Sequence, residues 1–169
     1  MARAVFPGAN PRKLGLLALA VALVAPGCGG GSQASAEQRV AGDGYSFRAP
    51  ADWRVTRRGR TVGAHDGASL VQVATFPLAQ RFDASRWGEY VSSSDHAAAQ
   101  VAAQEKAKLE RSETTTVGGQ RARTYDLSRG AVDERLVFLF RGRREYELFC
   151  HDAGSACDRL VESFSLEPA

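Results

Sequence analysis

The side chains able to do chemistry are few and scattered. The three histidines are His65, His96 and His151, and two sit beside an aspartate, in His65-Asp66 and His151-Asp152. Each such pair is half of a metal or acid/base site, but a zinc centre needs further ligands at characteristic spacings. No His-x-x-x-His and no Cys-x-x-Cys occurs. The histidines therefore read as surface turn residues, and no metal or cofactor is expected. A serine nucleophile has no signature either: Gly-x-Ser-x-Gly and Ser-x-x-Lys are both missing. Only a triad gathered from distant residues would remain. Cys150 and His151 are adjacent, and neighbours in a strand point to opposite faces, so they do not make a nucleophile–base pair. No phosphate-cradling glycine loop supports nucleotide binding. The sequence assigns no catalytic residue.

The third cysteine has a different setting. Arg12-Lys13 leads into an apolar run, Leu14–Val24, and then Ala25-Pro26-Gly27-Cys28 and three glycines. Basic residues, a short apolar stretch and small residues at its end form an export signal. At 11 residues the run is far short of the roughly 20 that a spanning helix needs. A cysteine directly after the small residues resembles a bacterial lipobox, which implies cleavage before Cys28 and acylation of its sulfur. Ala25 stands where a lipobox usually carries Leu, Val or Ile. Residues 1–27 are thus expected to be a lipoprotein signal peptide, exported by general secretion. Residues 28–41, rich in Gly, Ser and Ala, are expected to be a flexible linker with an r.m.s. span of roughly 20 Å. That leaves one domain over 42–169, tethered to the outer face of the cytoplasmic membrane, and it leaves Cys150 and Cys157 as a pair. In an oxidising compartment these are expected to form a disulfide, the alternative being two buried thiols.

Charge must be counted without the leader. The chain carries 22 basic and 19 acidic residues, but Arg3, Arg12 and Lys13 belong to the export segment, so the two signs balance at 19 each in the remainder. The basic pI therefore says nothing for a nucleic-acid partner, and none is expected. Local clusters remain at Arg54, Arg57, Arg58, Arg60 and at Arg141, Arg143, Arg144. Each reads first as a solvated strand face and hairpin tip, and second as a contact for anionic headgroups or an acidic partner. Arg121 and Arg123 read as one exposed strand face.

The elements that must position these residues follow from periodicity. Tyr45-Ser-Phe47-Arg alternates as a half-buried strand, and Pro50-Ala-Asp52 turns into a second at Trp53. Arg57–Arg60 is a hairpin tip, and Ser69–Phe76 is a β-branched strand closed by Pro77. Trp87, Tyr90, Val91, Ala98, Val101, Ala102 and Leu109 then recur at helical spacing, with Asp83 as a cap and Ser92–Asp95 as an interruption. Strands return around the Gly118-Gly119 turn. Leu136–Phe140 is apolar on both faces and needs cover on both. Cys157, Leu160, Val161 and Phe164 close the chain as a helix. Hairpin-linked strands interrupted by helices predict an α+β fold, an antiparallel sheet with helices on both faces.

Three segments carry a family resemblance: Tyr45-Ser-Phe47-Arg-Ala-Pro50-Ala-Asp-Trp53, Val117-Gly118-Gly119-Gln-Arg-Ala122-Arg-Thr-Tyr125 and Arg159-Leu-Val-Glu-Ser163-Phe164. They resemble the PsbP-like fold, and with the lipobox they resemble the actinobacterial lipoproteins of the LpqN type. The resemblance implies an α/β/α sandwich and a non-enzymatic adaptor that binds other proteins, and it carries over no site residues. The expected function is a lipid-anchored binding or accessory protein of the cell envelope, its partner an envelope protein or an apolar envelope molecule. Two alternatives stand beside it: a carrier of a lipid or other hydrophobe, with Trp87 and Tyr90 lining a cleft between helix and sheet, and an envelope hydrolase with a dispersed Ser/His/Asp site.

Overall fold

The computed structural model describes residues 36–167. Residues 1–27 and Cys28 lie outside them. Strands β1 (Glu37–Ala41), β2 (Tyr45–Pro50), β3 (Arg54–Arg58), β4 (Thr61–Asp66) and β5 (Ser69–Pro77) come first. Helix α1 (Trp87–Glu105) follows, then β6 (Lys108–Val117), β7 (Gln120–Arg129), β8 (Val132–Arg141) and β9 (Arg144–His151). Helix α2 (Ser155–Ser163) and the short β10 (Ser165–Leu166) end the fold.

The strands form two sheets. Seven are antiparallel in the order β3-β4-β5-β9-β8-β7-β6, and three make a small sheet in the order β1-β2-β10. The β5–β9 pairing joins strands far apart in sequence and places β9 at the centre of the large sheet.

Each face of that sheet has its own core, as the doubly apolar β8 requires. Val137 and Leu139 face a cluster with Val71, Val73, Leu148, Leu160 and Phe164, covered by α2 and the small sheet. Leu136, Phe138 and Phe140 face the other way, with Tyr125 and Leu127, under Ala98 and Ala102 of α1. Small residues on the inner face of α1 let the helix lie close to the sheet. The α+β architecture with helices on both faces is as the pattern predicts.

Three expectations are corrected. The segment taken as linker to residue 41 ends in β1, whose residues Glu37–Ala41 pair along β2. Only Val40 of this strand is buried, so its order comes from ladder hydrogen bonds and not from an apolar period. The folded domain therefore starts ahead of residue 42. The interruption at Ser92–Asp95 does not occur, and α1 runs through it. The Ser94 hydroxyl donates to the Tyr90 carbonyl at 2.9 Å, and Asp95 turns to the sheet. The helical period does not reach Leu109: α1 stops at Lys106, which has φ 54°, and the chain enters β6. Asp83 does cap, by accepting from the Ser85 backbone N–H, but the turn it caps is a 3₁₀ turn at Ala84–Arg86 just before α1.

Candidate functional site

The predicted residues are dispersed. His65 lies on β4, and His96 on α1 shares a hydrogen bond with Gln100. His151 ends β9, where Nδ1 lies 2.7 Å from Oε1 of the buried Glu134. No side-chain hydrogen bond joins a histidine to a serine among the described residues, and none of their His, Cys, Asp and Glu groups gathers in the threes that could hold a metal. Cys150 and Cys157 are bonded as a disulfide with Cα atoms 5.6 Å apart, tying α2 to β9.

Trp87 and Tyr90 do meet the sheet, but they fill the space there. Phe82 stacks on Phe140 with ring centroids 5.8 Å apart, Tyr90 lies 4.8 Å from Phe140 and 5.0 Å from Phe82, and Trp87 closes the cluster edge-on. The arrangement is a packed aromatic knot, not an open cleft. Arg121 caps it, 5.4 Å over the Trp87 ring. Arg123, expected on an exposed face, is half-buried and donates to Asp95 Oδ1 at 3.1 Å.

The large concavity is elsewhere, at the end of the sheet where four turns meet. It encloses about 820 Å³ and is rimmed by Arg60, Arg81, Arg141, Arg143 and Arg144, against the carboxylates of Asp43 and Glu167. Arg60 follows Gly59 in the β3–β4 turn, and Arg143 follows Gly142 in the β8–β9 turn. Both glycines have left-handed φ, 57° and 61°, which suits tight turns between strands. Backbone hydrogen bonds hold these turns together. Arg60 C=O accepts from Thr75 N–H at 3.1 Å, Arg143 C=O from Leu78 N–H at 2.9 Å, and Gly142 C=O from Phe82 N–H at 2.6 Å. The last two fasten the segment carrying Arg81 to the hairpin carrying Arg143.

The five arginines divide into two groups. Arg144 pairs with Asp43 at 2.8 Å and also donates to its carbonyl, while Arg141 donates to the Glu167 carbonyl at 3.4 Å. The side chains of Arg60, Arg81 and Arg143 have no ion pair or hydrogen bond among the described residues. Apolar walls come from Val62, Phe76, Pro77, Tyr45 and Tyr146. Phe76 is 44% exposed, one of two large apolar side chains so placed among the described residues. The Tyr45 phenol is pushed up to about 12, chiefly by burial, and its hydroxyl donates to the Val73 carbonyl. It lines the cavity as a neutral wall. A concavity of this size, part apolar and fringed with unpaired guanidinium groups, is suited to hold an anion with an organic body.

Sequence reading missed this site. It treated the two arginine clusters as separate hairpin tips and did not consider Arg81. The available signal was a repeated Gly-Arg at two turns, Gly59-Arg60 and Gly142-Arg143. Nothing in the sequence order says that those turns adjoin.

No protein-family model matches the sequence, and no curated protein matches it. A solved structure does share its fold. The solution structure of cyanobacterial PsbP (CyanoP) from Synechocystis sp. PCC 6803 superposes with a TM-score of 0.59 over 81% of this chain and 96% of that one, at 16% identity. A crystal structure from Bacteroides thetaiotaomicron VPI-5482 matches with a TM-score of 0.44, at 11% identity, over 74% of this chain and 46% of that one. The domain is PsbP-like in fold.

Proposed function

We propose that this chain is a lipid-anchored, extracytoplasmic binding or accessory protein of the cell envelope, without catalysis of its own, and that the arginine-rimmed concavity is where it takes its partner. The carrying observation is that Arg60, Arg81 and Arg143, from three separate segments, border one cavity and form no ion pair among the described residues. Unpaired like charges held together weaken a fold by mutual repulsion, so their convergence is better explained by an anionic ligand than by stability. The setting of Cys28 supports the anchor, since acylation there would add the two or more chains that hold stably to a bilayer. The resemblance to LpqN-type lipoproteins, which rests on the lipobox and an Ala/Arg/Gly-rich composition, supports the same assignment. A hydrophobe-carrying role has one supporting observation, the exposed Phe76 beside Pro77, and it enters the reading as the apolar part of the same site.

The anchor is tested by fractionation and mass analysis. Wild-type protein is expected in membranes with an acylated Cys28 at its amino end. Cys28→Ala is expected in the medium or as uncut precursor. A free thiol at the processed terminus, or unchanged membrane retention of a correctly cut Cys28→Ala protein, refutes the anchor. Docking is tested by in-cell photo-crosslinking from position 76. Adducts are expected with the wild-type arginines and should vanish with Arg60→Glu/Arg143→Glu.

A further inference from the structure

We infer that the concavity is an oxyanion site for a dispersed amphiphile. Arg60, Arg81 and Arg143 take its phosphate group, and Phe76 and Pro77 take its apolar portion. This deepens the binding reading above and rests on that use of the cavity; the choice of a dispersed ligand over a bilayer headgroup also rests on the proposed anchor.

Two features select the ligand class. All the basic groups of the rim are arginines, whose planar forks make paired hydrogen bonds to a tetrahedral oxyanion where an ammonium acts as a point charge. Three of them are unengaged among the described residues, so a multiply charged head can be met without breaking an ion pair there. Asp43 and Glu167 sit at the same rim, but Asp43 is occupied by Arg144, and Glu167 faces Arg39 at 3.7 Å. The apolar wall beside the arginines, with Phe76 nearly half in water, leaves surface for a hydrocarbon segment to cover.

A third feature separates a dispersed ligand from a bilayer headgroup. The chain enters the domain at Ala36, whose carbonyl accepts from Ala51 N–H beside Pro50 and Trp53. The concavity begins at Asp43–Tyr45, the other end of the β1–β2 hairpin. The length of β2 puts about 17 Å between the two ends. Ala36, where the preceding chain joins, therefore lies at the end of this hairpin opposite the arginines. With the chain anchored through that end, as proposed above, the site is placed to receive a ligand that has left the membrane.

The test uses the purified mature chain kept in phosphatidylcholine vesicles and titrated with hexyl phosphate, inorganic phosphate and hexyltrimethylammonium. Saturable binding is expected for both phosphates and none for the ammonium. The Arg60→Ala/Arg81→Ala/Arg143→Ala variant should lose about a hundredfold in affinity for each phosphate, because charge-assisted forks carry the binding. Phe76→Ala should cost hexyl phosphate about fivefold and leave inorganic phosphate unchanged, since it removes only apolar contact. In unmutated protein, hexyl phosphate should slow phenylglyoxal modification of these three arginines, read by mass spectrometry, which keeps the test independent of any folding defect. Equal affinity of wild type and triple variant, or no protection, overturns the proposal. If added phosphatidylglycerol vesicles displace hexyl phosphate through the same arginines, the dispersed-ligand form is overturned in favour of a membrane surface. If neither phosphate binds while crosslinking from position 76 still depends on the arginines, the phosphate ligand fails and the binding function stands.

Discussion

The arginines of the sheet face and those of the concavity are the same residue type put to opposite uses. On the β6–β7–β8 side, Arg111 and Arg135 both grip Asp126, at 2.6 and 2.7 Å, and Arg135 also reaches Asp158 at 2.9 Å. Asp95 is met by Arg123 and by the Tyr125 hydroxyl at 2.5 Å. Burial alone would raise the Asp126 and Asp95 carboxyls, yet these partners outweigh it and hold both below the usual carboxylate range. At the concavity Arg60, Arg81 and Arg143 have no such partner among the described residues. Charge that serves folding is neutralised within the fold, and charge left open at a cavity is available to something outside it. A third case lies between them. Glu145 and Glu147 sit half-buried on the central strand β9, in register with Phe140 and Phe138 on one side and with Phe76 and Ala74 on the other. Burial pushes both carboxyls up, helped at Glu145 by its neighbour Glu147.

The contrast can be broken first at Asp126. Asp126→Ala removes the carboxylate that two guanidinium groups share, leaving Arg135 with Asp158 and Arg111 with Glu113, and is expected to cost about 2 kcal/mol in urea unfolding at pH 7. Because the folded pKa of Asp126 is lowered, its contribution is present above the unfolded carboxylate range, about 3.9, and is lost as pH falls through the folded value. Wild type and variant should therefore converge in strong acid. A constant gap down to pH 2 would mean that packing, not pairing, is what Asp126 supplies.

A smaller effect of opposite sign is expected from Glu145→Gln/Glu147→Gln. The raised folded pKa values mean that wild-type stability is highest below the unfolded glutamate range, about 4.3, and falls as pH rises through the folded values. Removing the charges should stabilise the protein by about 1 kcal/mol at neutral pH and by nothing in acid. A loss of stability at neutral pH would show that these carboxylates have stabilising partners.

The smallest effect belongs to the concavity. Arg60→Ala/Arg81→Ala/Arg143→Ala is expected to shift the unfolding free energy by no more than about 0.5 kcal/mol, because these side chains make no contact that folding depends on. A destabilisation approaching that of Asp126→Ala would erase the distinction between the two sets of arginines.

Much of the fold was legible from local pattern. Alternation marked β2, a β-branched run marked β5, the doubly apolar run at 136–140 required cover on both faces, and the Gly118-Gly119 turn located the β6–β7 hairpin. Counting cysteines paired Cys150 with Cys157. Illegible were elements whose order depends on a neighbour. β1 has one buried residue and exists because β2 offers it hydrogen bonds. The run Ser92–Asp95, which reads as a break, is held helical with Asp95 engaged by Arg123 and Tyr125 on β7.

By itself the sequence determined the class of the domain and its disulfide, because each is written in residues close together along the chain. It also placed arginines beside turn glycines, yet left them as unrelated surface tips. Only tertiary structure made them a site, since the β5–β9 pairing links strands some 70 residues apart and so draws the two turns and the Arg81 segment to one end of the sheet. Sequence period records which face of an element is buried; which turns become neighbours depends on the order of strands across the sheet, and no local period carries that order.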